Sequence, residues 1–84
     1  MTEKESILCY LALGNESEIH IQGYFEDDEK EIAIEKIREL ISELIREGLV
    51  CITGEREYIL SSKKTRTITE YGLTLKGQEK RPTI

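Results

Sequence analysis

The 84-residue sequence predicts a small α+β domain. Three observations carry that expectation. Apolar residues recur at helical spacing near the start, a longer amphipathic stretch fills the middle, and β-prone runs flank a polar connection in the last third. A chain of this length holds one domain around a single core. With 38% apolar and 6% aromatic residues, that core must be built from Ile and Leu. So small a core leaves a margin of only a few kcal/mol, which makes pairing with another chain, as in a homodimer, an expected arrangement.

Thr2-Glu3-Lys4-Glu5 fits a capping box, in which the threonine hydroxyl and the glutamate carboxylate satisfy free amides reciprocally. Ile7, Leu8 and Leu11 follow at helical spacing and Gly14 offers a left-handed stop, so the first helix runs from Glu3 to about Leu13. Asn15-Glu16-Ser17 is a short loop. Glu18-Ile19-His20-Ile21-Gln22 then alternates polar and apolar, which predicts a half-buried strand ended or bulged by Gly23.

From Asp27 the pattern turns helical, with Asp27 or Asp28 as the cap. On a wheel of about 100° per residue, Ala33, Ile34, Ile37, Leu40, Ile41, Leu44 and Ile45 share one arc, and Ile32 lies roughly 80° outside it. A straight helix leaves Ile32 among charged neighbours. Two helices joined near Ala33–Glu35 turn it to the core, as a helix-turn-helix requires. The second of them ends at Gly48, with Leu49 folded back in a Schellman cap. Val50 and Ile52 alternate with Cys51 and Thr53 as a strand, and Gly54-Glu55 turns. The runs Tyr58-Ile59-Leu60 and 66–73 flank the polar connection 61–65, which predicts a hairpin. Thr74 caps one short helical turn. The domain is expected to span 1–78, with Pro82 marking 79–84 as a disordered tail.

Net charge is −5, unevenly spread: residues 1–25 sum to −3, residues 26–53 to −5 and residues 54–84 to +3. No run of ~18 apolar residues predicts a membrane span. The N-terminus lacks a secretion-signal pattern, so the cytoplasm is the expected location and Cys9 and Cys51 are expected reduced. Little suggests catalysis. His20, the sole histidine, has no Cys or Asp beside it in sequence, and the cysteines lack zinc spacing. A calcium loop beginning at Asp27 would need glycine where Ile32 stands. No glycine-rich phosphate loop exists. No enzyme, metal or cofactor is expected.

Two segments carry a resemblance. Residues 40–50, LISELIREGLV, resemble the end of the third helix in many winged-helix regulators, where a leucine-rich pattern runs into Glu-Gly-Leu-Val and then the wing. Residues 70–78, EYGLTLKGQ, resemble their closing Tyr-x-Leu-Thr-x-x-Gly. The resemblance covers most of the chain and implies a small winged-helix domain: helix, short strand, two helices and a β-hairpin wing. The residues alone also fit an unrelated α+β domain with a β-meander. Many such regulators dimerise through a long helix after the wing. With about ten residues following Thr74, that mode is not expected here.

The resemblance implies a DNA-associated regulator whose third helix enters the major groove. The outward arc of that helix holds Glu35, Glu39, Ser42, Glu43 and Arg46. With Glu31 and Glu47 it carries glutamates at steps of four, which repel one another and suit a polyanion poorly. The cations Lys63, Lys64 and Arg66 cluster instead in the predicted wing. Two readings follow. Lys63, Lys64 and Arg66 contact nucleic acid, weakly for a single chain, or Glu35, Glu39 and Glu43 form an acidic surface for a basic protein partner and no DNA is bound.

Overall fold

The computed structural model describes residues 1–82; Thr83 and Ile84 lie outside the described residues. The elements run α1 (Glu3–Ala12), β1 (Glu16–Ser17), α2 (Glu18–Asp27), α3 (Ile34–Arg46), β2 (Val50–Ser61), β3 (Lys64–Leu73) and α4 (Leu75–Lys80). The strands form one antiparallel sheet in the order β1-β3-β2.

α1 begins as its sequence predicts. Thr2 Oγ1 accepts from Glu5 N at 3.1 Å, and Glu5 Oε1 accepts from Thr2 N at 2.9 Å. These bonds hold the Glu5 carboxyl below its ordinary range. Ile7, Leu8 and Leu11 are buried. Gly14 leaves the helix end at φ 157°, away from the left-handed helical conformation expected of it.

The strand expected over 18–22 is instead the first half of α2. Ser17, only 3% exposed, caps it by accepting from His20 N at 3.3 Å. The helix buries Ile21 and Phe25, four positions apart, and leaves Ile19 at 39% exposure. A helix needs Ile21 inward but not Ile19, so the period-2 alternation was incidental. Gly23 sits within α2 and bulges no strand. The short strand is two residues earlier, with Glu16 opposite Tyr71 and Ser17 opposite Glu70.

Asp27 and Asp28 end a helix, contrary to their expected role in starting one. Asp28 is the C-cap of α2, and Glu29 follows at φ 61°. Glu29 N donates to Glu26 O at 2.9 Å and Lys30 N to Phe25 O at 2.8 Å, which is a Schellman motif with glutamate in the left-handed position that glycine prefers. The Tyr10 hydroxyl donates to Asp28, and its ring stacks on Tyr24 and meets Phe25 edge-on at centroid distances of 5.2 and 5.1 Å. Burial and the Asp28 carboxylate push the Tyr10 hydroxyl well above the usual phenol range.

A break precedes α3, but over 28–33 rather than near Ala33–Glu35: Ile34 and Glu35 are already helical, and the first of the two expected helices, starting at Asp27 or Asp28, does not form. Ile32 packs against the core, and its carbonyl accepts from Gln22 Nε2 at 2.9 Å. Ile37, Leu40, Ile41 and Leu44 of α3 are buried with the α1 and α2 residues and with Leu49 and Val50. Ile45, placed on the same arc, reaches only the rim at 38% exposure. The Gly48 cap holds: φ is 77°, Gly48 N donates to Ile45 O at 3.0 Å, and Leu49 N donates to Leu44 O at 2.9 Å.

β2 runs unbroken through Gly54-Glu55, where a turn was expected. The extra residue is taken up as a bulge between Ile52 and Gly54. The hairpin connection is Ser62-Lys63, shorter than the predicted 61–65, so Ile59 pairs with Thr65 and Tyr58 with Arg66.

Beyond the hairpin the chain locks back onto the end of α3. Thr74 Oγ1 accepts from Gly77 N at 3.0 Å, capping α4, and donates to Gly48 O at 2.6 Å. Thr74 N donates to Leu49 O at 3.1 Å and Lys76 Nζ to Glu47 O at 3.0 Å. These bonds satisfy the carbonyls of the C-cap Glu47 and of Gly48 and Leu49 just beyond it. Gly77 is buried against the Leu49 carbonyl, and a Cβ there would land inside contact distance of it. α4 continues to Lys80, past residue 78 where the domain was expected to close.

Three substitutions test this account by chemical or thermal denaturation. Ile41→Ala should cost about 2–5 kcal/mol, and an unchanged midpoint would mean the residue is not in the core. Gly77→Ala should cost about 1–3 kcal/mol, because neither the helix nor the Leu49 backbone can yield without breaking the lock. Glu29→Gly should stabilise by up to about 1 kcal/mol, the relieved left-handed strain exceeding glycine's entropy cost.

Candidate nucleic-acid interface

Period-2 alternation sorts the hairpin into two unlike faces. Lys64 and Arg66 of β3 share one face, and Arg56 of β2, opposite Ile68, joins them. Glu55 and Glu57, opposite Thr69 and Thr67, take the other face together with Ile59 and Thr65. Lys63 stands in the connecting turn. Lys63, Lys64 and Arg66 are exposed, as their sequence context predicts. Among the described residues none of the three has a carboxylate within ion-pair distance.

The glutamate row on α3 is divided. Glu35 and Glu39 are exposed near the helix N-terminus, Glu39 with Lys36 Nζ at 3.9 Å. Glu43 and Glu47 turn toward α1, where Lys4 Nζ lies 4.0 Å from Glu43 and forms a shorter ion pair with Glu47. Lys4 therefore relieves the lower half of the row and Lys36 partly relieves Glu39, so among the described residues Glu31 and Glu35 are the members of the row with no cation within ion-pair distance.

A second set of charged groups lies where β1, the start of α2, α3 and the hairpin base meet. Arg38 Nε of α3 is 3.0 Å from Glu18 Oε2. Arg56 Nε of β2 is 2.6 Å from Glu70 Oε1. His20, expected on the outer face of a strand, stands exposed on α2 with Nδ1 3.1 Å from Glu16 Oε2, while the Tyr24 hydroxyl donates to the other oxygen of Glu16 at 3.1 Å. The Glu18 side chain is 18% exposed and that of Glu70 is 22% exposed, against 52% for Arg38 and 69% for Arg56. The carboxylates are thus fixed in the body and the guanidinium groups reach outward from them.

These contacts shift the neighbouring groups. Arg38 is raised by its bond to Glu18. Tyr24 is raised by donating to Glu16. Tyr71 is raised by burial and by the Glu18 charge, with Arg38 opposing. Neither Arg56 nor Arg38 was a candidate in the sequence. The only available signal was Arg56 at even spacing from the run around Tyr58; the partners Glu18 and Glu70 are too distant in sequence to show.

Cys9 and Cys51 are free thiols. No described helix is long and apolar enough to cross a membrane. Among the described residues no group of three or more His, Cys, Asp and Glu side chains is placed to hold a metal ion.

No family model matches the chain, and neither does any curated protein. Among solved structures it is similar to Bacillus subtilis PadR in complex with operator DNA, with a TM-score of 0.68 and 25% identity over 90% of this chain and 42% of that one. The chain thus spans less than half the length of PadR. Helix, short strand, two helices and a long hairpin, in the spatial arrangement shared with that protein, make this chain a winged-helix domain.

Proposed function

We propose that the domain is a DNA-associated regulatory protein that contacts nucleic acid through its wing, the β2–β3 hairpin. The observation that carries this reading is the similarity, across 90% of the chain, to a winged-helix protein held on operator DNA. An operator is a regulatory sequence, and the fold common to both chains presents a helix and a wing on one side. The electrostatics favour the wing as the contact. Its turn and one of its faces carry Lys63, Lys64, Arg66 and Arg56, whereas α3 offers Glu35 and Glu39. Three exposed cations bind a duplex weakly, so two chains presenting two wings are the arrangement that suits useful affinity.

The competing reading is a protein-interaction module in which Glu35 and Glu39, with Glu43 beside them, meet a basic partner. Exposure of the first two favours it, and the Lys4 contact removes Glu43 from the strongest part of that surface.

Fluorescence anisotropy with a mixed-sequence duplex over a range of salt decides between them. Three phosphate contacts predict a slope of log affinity on log salt near −2.7, from about −0.9 per contact. The double reversal Lys63→Glu, Lys64→Glu should abolish binding, and Glu35→Gln with Glu39→Gln should strengthen it. Tight binding that survives the wing reversal would place the contact on α3. No binding even at low salt would favour the protein-interaction module.

A further inference from the structure

The two arginines nearest the junction of helices and wing are each already engaged. Arg38 comes from the helix a winged-helix protein lays in the groove, and Arg56 from the wing base. Each meets a carboxylate oxygen through Nε, at 3.0 Å from Glu18 and 2.6 Å from Glu70. The geometry copies a guanidinium on a phosphate oxygen, the contact through which arginine recognises a nucleic-acid backbone. The acidic partners are the more buried members, so the anion is anchored and the cation is the part free to move.

Resting on the nucleic-acid reading above, we infer that Glu18 and Glu70 are internal phosphate mimics that restrain binding, and that Arg38 and Arg56 exchange these carboxylates for backbone phosphates when the domain engages a duplex. The positions support such an exchange. Glu18 opens α2 beside Arg38 and Tyr71, and Glu70 pairs with Ser17 at β1, so the two carboxylates flank the root of the wing on opposite faces of β3. Arg38 is half-exposed and Arg56 more so, and each can turn outward without unpacking the core. A carboxylate left behind by its arginine takes up a cation from solution, which offsets the counterion released from the phosphate. The wild-type salt dependence is therefore shallower than its phosphate contacts alone would give.

The test uses the whole chain and a mixed-sequence duplex, with anisotropy read at several salt concentrations. Glu18→Gln and Glu70→Gln should each tighten binding by about two- to fivefold, the range for a partly exposed ion pair. Each should also steepen the salt slope by up to about 0.9. The gain should vanish when the arginine is absent: Glu18→Gln should add nothing to Arg38→Gln, and Glu70→Gln nothing to Arg56→Gln. An equal gain in the arginine-free backgrounds would show a general charge effect and overturn the inference. So would unchanged affinity in variants whose melting shows them folded, or loss of folding in both glutamine variants, which would make the pairs structural. Wild-type binding with no glutamine effect sinks this inference alone, whereas a wild type that binds no duplex at low salt sinks the nucleic-acid reading beneath it.

Discussion

The lock between the end of α3 and the start of α4 is the constraint on which the rest of the architecture depends. Where the chain leaves α3, the carbonyls of Glu47, Gly48 and Leu49 have no helical partner, and Thr74 and Lys76 return from the far side of the hairpin to satisfy them. The hairpin leaves the body at Val50 and re-enters at Leu73, so this lock sits where both its strands are rooted. An isolated two-stranded hairpin is marginal in water. This one is registered from its base, with Val50 buried in the core opposite Leu73. Gly77 is required for the same reason, since α4 crosses the Leu49 backbone too closely for a side chain.

What could be read from the sequence follows from how local each cause is. The capping box at Thr2, the glycine stop at Gly48 and the cap at Thr74 depend on residues within a few positions, and all three form as expected. Ile32 revealed that a break exists, because one misplaced apolar side chain is a local contradiction, but not its place: the break falls over 28–33 and holds Ile32 itself. The strand predicted over 18–22 failed because Ile19 and Ile21 alternate by coincidence. The better signals there were the Ser17 cap and the four-residue step from Ile21 to Phe25. Glu29 gave no warning at all, since nothing in a glutamate side chain marks the left-handed position that glycine prefers.

The candidate interface divides in the same way. Lys63, Lys64 and Arg66 are exposed because a polar turn between β-prone runs has nowhere to hide charge. The Arg38–Glu18 pair joins residues 20 positions apart across two helices, and no periodicity could announce it. The bulge after Ile52 decides which side of the hairpin Arg56 occupies, so its company with Lys64 and Arg66 is a product of register. The same packing changes the meaning of the glutamate row. In sequence it is uniform, and in the fold Lys4 draws its lower half toward α1 while Lys36 lies beside Glu39 in the upper half.

The hairpin's shape carries one mechanical consequence. The molecule extends 45 Å along its longest axis against 20 Å along its shortest. At about 3.3 Å per residue, the stretch of β2 beyond the bulge reaches roughly 25 Å from its root. A beam anchored at one end converts small rotations there into large travel at the tip: a swing of about 10° moves the turn roughly 4 Å. Such compliance lets the charged tip shift by several ångströms while the helical body keeps its packing. Stiffness at the root and reach at the tip are therefore set separately, the first by the glycine and threonine lock and the second by strand length.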